Sequence, residues 1–276
     1  MELKLIRDIN DPMLDIFSKA TEPQLRRSDI FVAETANVCL RAIEDGYEPL
    51  SILVDSGRIE AEAGPVLAAI DKYFGSDKSE GFPVYTADRD VLLNLTGYAL
   101  VRGLWMTFKR KGEASAEEFL KDKRRIVVMM DIDKPENVGA IFRNAAALGM
   151  DGVLLDHKSV DPLTRRVSRV SMGTVFQIPW ARTSREKNED ASVVRLLQDN
   201  GFKTVAMALT DDSTGIDNEQ IRKCEKVAVL LGNEGHGLSE EVIRSCDYRV
   251  MIPMYHGVDS LNVAAAGAIA FWELLK

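Results

Sequence analysis

The chain has 276 residues, of which 46% are hydrophobic and 28% are charged, and its formal net charge is −8. This composition is typical of a globular protein with one large or two modest domains, and no apolar run reaches the roughly 18 residues that span a bilayer. The negative charge argues against a general nucleic-acid coat protein, because phosphate binding needs positive surface. The N-terminus lacks the apolar stretch of a signal peptide and the 3 cysteines are scattered, so we expect a cytoplasmic protein without disulfides.

The first hundred residues carry the pattern of a small α/β unit. Apolar residues recur at helical spacing, or form short strand-like runs, in six segments: helices at 31–43, 61–74 and 87–95, and strands at 51–54, 82–85 and 103–108. Gly75 directly after the second helix is a stop signal.

The stretch 109–123 is polar and charged, and we interpret it as a linker with a short helix at 116–120. We therefore predict a domain boundary near residue 118, which gives a first domain of residues 1–117 and a second of residues 118–276.

Beyond this boundary, buried-strand patterns alternate with helical patterns. Strands are predicted at 126–130, 152–155, 204–209, 227–231 and 249–252, and helices at 137–148, near 163–171 and at 261–275. Asn137 is the expected N-cap of its helix, and Gly149 closes it. Continuous apolar strands separated by helices predict an α/β domain with a mostly parallel sheet and right-handed crossovers.

Three short segments follow buried strands of this second domain, where α/β proteins bind ligands. The first contains Asn137, Gly139 and Arg143, with Arg143 beside the apolar stripe of the helix. The second is 232–238, with glycines at three of its positions, and its spacing fits neither the dinucleotide fingerprint nor the Walker A loop. The third joins 252–254 to 260–263, where Ser260 suits an N-cap and Asn262 the first turn of a helix. Each segment alone is better explained as a capped helix or a tight turn than as a functional site.

Together the three segments resemble the sequence motifs of the SpoU/TrmH family, within the SPOUT class of RNA methyltransferases. The match runs through Asn137-x-Gly139-x-x-x-Arg143, then Gly232-Asn233-Glu234-Gly235-x-Gly237-Leu238, then Ile252-Pro253-Met254 and Ser260-Leu261-Asn262-Val263. It covers residues 124–276, while residues 1–117 are loosely similar to the L30e-like RNA substrate-binding domain that often precedes this catalytic domain. Asn144 stands where a Ser or Thr often follows the arginine, and His236 fills a variable motif position. The stretch 31–35 lacks the glycine that often follows the glutamate of the entry segment.

The resemblance implies a SPOUT catalytic domain with a deep trefoil knot around residues 230–262, S-adenosylmethionine as the cofactor, and a homodimer formed through the knotted domain. The residues that it assigns to cofactor binding are Leu231, Gly232, Asn233, Gly235, Gly237, Ile252, Pro253, Met254, Leu261 and Asn262. Gly232 and Gly237 would leave room for the adenine. No membrane association is implied.

The implied reaction is methylation of a ribose 2′-hydroxyl in RNA, with ribosomal RNA favoured over transfer RNA. The residues assigned to catalysis are Arg143, Asn137, Glu234, Ser260 and Asn262. A guanidinium has a pKa above about 12, so we expect Arg143 to stabilise the developing alkoxide rather than to accept the proton. Asn137 would orient Arg143. The histidines are not spaced as metal ligands, and we expect no metal.

Two alternatives keep the same fold: a SPOUT enzyme that methylates a base, and an RNA-binding protein that has lost turnover. The intact motifs argue against the second, and Ser260-Leu261-Asn262 favours ribose over base. A NAD(P)-dependent oxidoreductase is disfavoured, because no glycine-rich turn follows the first strand of the second domain. Basic residues cluster at 102–111, 121–125 and 165–169, and each cluster is either an RNA contact or a solvated face.

Overall fold

The computed structural model describes residues 2–8, 10–96, 103–184 and 190–274, and these form two compact units. The first unit comprises Met1–Gly112 together with Leu163–Phe176, and the second comprises Glu113–Pro162 together with Gln177–Lys276. The sequence suggested one boundary near residue 118. The structure instead divides the chain after Gly112 and assigns residues 163–176, which lie within the second part of the sequence, to the first unit.

The strands of the first unit are β1 (Glu2–Ile6), β2 (Ile30–Glu34), β3 (Pro49–Asp55), β4 (Pro83–Ala87) and β5 (Leu104–Lys109). Those of the second unit are β6 (Arg125–Met129), β7 (Gly152–Leu155), β8 (Trp180–Arg182), β9 (Lys203–Met207), β10 (Thr214–Gly215), β11 (Val227–Leu231) and β12 (Tyr248–Met251).

The helices before the first domain break are α1 (Asp15–Ser18), α2 (Glu22–Arg27), α3 (Ala36–Glu44), α4 (Gly64–Phe74), α5 (Ser76–Ser79) and α6 (Arg89–Thr96). Those that follow are α7 (Ala116–Leu120), α8 (Pro135–Ala147), α9 (Arg165–Val170), α10 (Asp190–Asp199), α11 (Glu219–Arg222), α12 (Glu240–Ser245) and α13 (Val263–Leu274). Single turns of 3-10 or π-helix lie at Pro12–Leu14, Ser56–Arg58, Ile59–Ala63 and Thr174–Phe176. None of the helices in the described ranges is long and apolar enough to cross a membrane.

In the first unit, the described strands form a mixed sheet in the order β1-β4-β3-β5-β2. β5 is antiparallel to both of its neighbours, and the other pairs are parallel. The predicted helix at 31–43 is wrong in its first part, because residues 30–34 form β2. Phe31 and Val32 belong to a buried strand, and Thr35 breaks it with a φ of 75° before its hydroxyl caps α3.

Residues 163–176 include two of the basic residues that were considered as RNA contacts, and both make contacts within the first unit. Arg165 lies over the ring of Trp105 at 4.7 Å, and Arg169 forms a 3.0 Å ion pair with the buried carboxylate of Glu34. Both guanidinium groups are thereby bound within the first unit, which weakens the case for this cluster as an RNA contact.

The second unit contains a parallel sheet in the order β10-β12-β9-β11-β6-β7-β8, as the alternating pattern predicted. Its core includes Leu154, Leu230 and Phe202, which are buried. Gly152 must be a glycine, because a Cβ there would overlap the ring of Phe119. The predicted linker helix α7 is therefore part of this core rather than a spacer, since Phe119 and Leu120 are buried in it.

Two predicted helix starts are wrong, and in both cases the asparagine has a different role. Pro135 begins α8, because its fixed φ suits the first helical position, so Asn137 lies in the first turn and is not the N-cap. α13 begins at Val263, and Asn262 rather than Ser260 caps it, since Asn262 Oδ1 accepts hydrogen bonds from the N–H groups of Ala264 (2.9 Å) and Ala265 (3.4 Å).

Candidate functional site

The second unit has a cavity of about 550 Å³ at the carboxyl ends of β9, β11 and β12. This volume is within the range of small-molecule sites. β11 and β6 are neighbours in the sheet. After β6 the chain continues to β7 on one side, and after β11 it continues to β12 on the other side. Strands that part in this way leave a crevice at their carboxyl ends. The start of α13 and the beginning of α8 complete the walls.

Most of the residues that the sequence assigned to cofactor binding line this cavity. They are Leu231, Gly232, Asn233, Gly235, Gly237, Ile252, Met254, Leu261 and Asn262. Pro253 is not among the lining residues. Of the residues assigned to catalysis, Asn137, Glu234, Ser260 and Asn262 also line it, whereas Arg143 does not.

A chain of side-chain hydrogen bonds joins the three predicted segments. Asn137 Nδ2 donates to Glu234 Oε1 at 2.6 Å, and Asn262 Nδ2 donates to Asn137 Oδ1 at 2.8 Å. Asn137 is 6% exposed, so both groups of its amide are satisfied away from bulk water. The start of α8, the loop after β11 and the start of α13 are therefore held together by one amide.

Glu234 also binds the backbone that leads into α8. Its carboxylate accepts long hydrogen bonds from the N–H groups of Asp133 (3.4 Å) and Lys134 (3.3 Å), where the helix dipole favours negative charge. Partial burial acts to raise the pKa of Glu234, but the hydrogen bonds from Asn137 and the backbone outweigh it and the pKa is lowered. The hydrogen bond with Glu234 raises the pKa of Asp133. Glu234 is thus a carboxylate at neutral pH.

The glycine-rich loop after β11 folds back on itself. Asn233 and Gly237 exchange two backbone hydrogen bonds, from Asn233 N at 3.2 Å and from Gly237 N at 2.9 Å. Gly237 has a φ of 69°, and a Cβ on Gly232 would overlap the backbone of Gly237. The small size of Gly232 therefore serves the closure of this loop, which differs from the expectation that it leaves room for an adenine.

Asn233 anchors the same loop to the end of β6. Its Nδ2 donates to the carbonyl oxygen of Asp131 at 2.7 Å, and its Oδ1 accepts from Gly235 N at 2.8 Å. The Nε2 atom of His236, at a variable position of the motif, lies 3.3 Å from Oδ2 of Asp131. Asp131 itself has a φ of 57°, held by a hydrogen bond from its N–H to the buried carboxylate of Asp156.

Arg143 is exposed on α8, outside the cavity of its own chain. Six residues of an α-helix place it about 120° around the helix axis from Asn137. The partners of the Asn137 side chain are Glu234 and Asn262, not Arg143. The side chain of Arg143 forms no hydrogen bond or ion pair with any part of the chain that the structure describes.

Several lining residues were not predicted from the sequence. They are Lys134, Met207, Ala208, Leu209, Val250, Met251, Asp259, Val263 and Ala266. The position of Met207–Leu209 after a predicted parallel strand was a usable signal, since such strand ends line ligand sites. Asn144, a departure from the family pattern, donates to the carbonyl oxygen of Ala264 at 2.9 Å and so links α8 to α13. Within the described ranges no group of histidine, cysteine and carboxylate side chains could hold a metal ion.

The chain is similar over its length to known RNA methyltransferases. An uncharacterised tRNA/rRNA methyltransferase of Mycobacterium bovis is 34% identical over 281 aligned residues, which cover 99% of this chain and 92% of that protein. The AdoMet-bound rRNA methyltransferase from Sinorhizobium meliloti has a TM-score of 0.81 at 24% identity, with 99% of this chain and 97% of that chain covered. A structure described as an RNA 2′-O ribose methyltransferase has a TM-score of 0.77 at 22% identity, with 98% of each chain covered.

At these identities the solved structures establish the fold. The family follows from the sequence, because the model of the SpoU rRNA methylase family matches residues 124–272, more than half of the chain, and because the mycobacterial relative covers nearly all of it. The chain belongs to the SpoU rRNA methylase family and is an RNA methyltransferase of the SpoU/TrmH type.

Proposed function

We propose that this protein transfers a methyl group from S-adenosylmethionine to the 2′-hydroxyl of a ribose in RNA, with ribosomal RNA as the favoured substrate. The observation that carries the proposal is the cavity in which the three predicted segments meet, tied by Asn137, Glu234 and Asn262. The family's description names rRNA, the Sinorhizobium meliloti structure has AdoMet bound, and another structural relative is described as a 2′-O ribose methyltransferase, which support the RNA, the cofactor and the ribose respectively.

The cavity fits the cofactor in size and chemistry. Leu209 and Leu261 line it and are 65% and 40% exposed, an uncovered apolar surface of the kind that a nucleoside base covers. Backbone groups near Leu231, Ile252 and Leu261 would hold the adenosine. S-adenosylmethionine supplies, when bound, an electrophilic methyl group on a positively charged sulfur.

The chain's own residues position the nucleophile. Methyl transfer to the 2′-oxygen would release S-adenosylhomocysteine, and the hydroxyl proton would pass to water. Arg143 stabilises the negative charge that develops on the oxygen, because a guanidinium cannot serve as the base near neutral pH. Asn137 and Asn262 hold the walls of the cavity in place, and Ser260 adds a hydroxyl to its polar side.

The position of Arg143 outside its own cavity supports a homodimer in which each arginine acts at the partner's site. Ala265, Ile269 and Trp272 share one face of α13, and Ile269 and Trp272 are 39% and 60% exposed. An apolar helix face of this kind is typical of a subunit interface. α13 packs against α8, which carries Arg143, so a partner docked here would approach the arginine.

Two further features belong to the proposal. Residues around 230–262 form the trefoil knot, which is consistent with the insertion of β11 between strands that precede it in the chain. The first unit, with its mixed sheet, serves as an L30e-like domain that recognises the RNA substrate.

The proposal is tested by incubating the purified protein with radiolabelled S-adenosylmethionine and ribosomal or transfer RNA from cells that lack it. The modified RNA is digested to nucleosides and analysed by mass spectrometry, which separates a 2′-O-methylnucleoside from a base-methylated one. We expect a single 2′-O-methylated nucleotide in ribosomal RNA, absent with a substrate that carries 2′-deoxyribose at that position. Methyl label on a base would contradict the assignment to ribose.

A further inference from the structure

Charged side chains of both signs line the cavity. The charged residues among those that line it are Lys134, Glu234 and Asp259. Lys134 directly precedes α8, whereas Asp259 lies in the segment between β12 and α13, so they belong to different walls of the cavity.

The carboxylate of Glu234 is already hydrogen-bonded within the protein. Its two carboxylate oxygens accept hydrogen bonds from Asn137 and from the backbone N–H groups of Asp133 and Lys134. It therefore serves the architecture of the site and has little capacity left for a ligand.

The side chains of Lys134 and Asp259 have no such hydrogen bonds among the described residues. Both side chains are exposed, and neither forms a hydrogen bond or an ion pair with any residue in the described part of the chain. The cavity thus presents one ammonium and one carboxylate that form no ion pair with each other or with another described residue. A ligand with both charges at one end would satisfy both groups at once.

We propose that Lys134 and Asp259 bind the amino-acid end of the cofactor, with the lysine ammonium donating to the α-carboxylate and the aspartate accepting from the α-ammonium. This inference rests on the proposed function. The zwitterionic end has one positive and one negative group, which matches the two free charges of the cavity in number and sign. The uncharged adenosine is then left to the apolar and backbone surface near Leu209 and Leu261.

The test compares two ligands that differ only at this end. S-adenosylhomocysteine carries the amino-acid end, 5′-methylthioadenosine lacks it, and both have an uncharged sulfur. Calorimetry on the full-length protein gives the ratio of their dissociation constants. We expect the wild type to prefer S-adenosylhomocysteine, and Lys134→Met and Asp259→Asn each to lower this preference roughly tenfold while leaving the affinity for 5′-methylthioadenosine unchanged.

Lys223→Met and Asp199→Asn serve as matched controls, since both residues are exposed and lie outside the cavity lining. They should keep the wild-type preference, and thermal unfolding should show that all four variants fold. An unchanged preference in both cavity variants would overturn the inference while leaving the proposed function intact. A lysine variant that keeps the preference but raises the KM for RNA would instead identify Lys134 as a phosphate contact. Failure of the wild type to bind S-adenosylhomocysteine or S-adenosylmethionine would remove the proposed function itself.

Discussion

Asn137 Nδ2 donates a 2.6 Å hydrogen bond to Glu234 Oε1, although the two residues lie 97 positions apart in the sequence. The same amide accepts from Asn262 through its oxygen, so it uses a donor and an acceptor at once. Because the amide is buried, its loss would remove one hydrogen bond from the Glu234 carboxylate and leave Asn262 Nδ2 without its acceptor.

Asn137→Ala should therefore lower the free energy of unfolding by about 1–3 kcal/mol and reduce methyl transfer strongly. Urea unfolding and a methylation assay measure the two effects. Asn144→Ala is the matched control, since it removes one hydrogen bond of the same helix outside the cavity lining and should cost only about 1 kcal/mol. Wild-type activity in Asn137→Ala would show that the network is not needed for turnover.

Gly232→Ala should open the glycine-rich loop. The added Cβ would overlap the Gly237 backbone, and a backbone neighbour cannot move aside as a flexible side chain can. We expect a loss of about 1–3 kcal/mol in stability, together with loss of S-adenosylmethionine binding measured by calorimetry. Gly112→Ala, where a Cβ would meet nothing within 4 Å, should behave as the wild type. Tight cofactor binding by Gly232→Ala would mean that the loop does not form the site.

The ionisation of Asp247 should make the free energy of unfolding depend on pH. Burial acts to raise its pKa, but hydrogen bonds from Lys203, Thr204 and Gln198 outweigh this and lower it from the ordinary 3.8 to about 2. A lowered folded-state pKa contributes stability above about pH 4 that is lost as the pH falls towards 2. Asp247→Asn should thus cost about 1 kcal/mol at pH 7, allowing for solvent screening, and the unfolding curves of variant and wild type should converge in acid. If the difference in unfolding free energy between variant and wild type stays constant down to about pH 2, the effect comes from packing and not from the charge of Asp247.

Arg143→Ala should abolish methyl transfer and leave cofactor binding nearly unchanged, because the arginine does not line the cavity of its own chain. If it acts at the partner's site, mixing this variant with Leu261→Arg, which blocks the cavity, should restore activity. When equal amounts of the two variants reassociate at random, about half of the dimers are mixed, and one of the two sites in each mixed dimer is intact. The mixture should therefore recover about a quarter of wild-type activity. No recovery after confirmed subunit exchange would place Arg143 at its own cavity or outside the mechanism.

The sequence predicted most of the second unit because its strands are buried on both faces and therefore appear as continuous apolar runs. β7 and β11 have the predicted bounds. The short β8 and β10 were missed, since two or three residues carry no periodicity, and so was α10. In the first unit, the strand β2 was mistaken for the start of a helix because the apolar run continues into α3 without a sequence signal as strong as glycine or proline.

By itself the sequence determined that the chain has a parallel α/β domain and that three separated segments carry its chemistry, since both are properties of local pattern and motif spacing. Only the tertiary structure decided that Asn137 binds Glu234 and Asn262, that Gly232 closes its own loop, and that residues 163–176 belong to the first unit. These are contacts between residues far apart in the chain. They depend on which strand lies beside which, here β11 between β6 and β9, and the order of strands is set by packing of the whole domain rather than by any local preference.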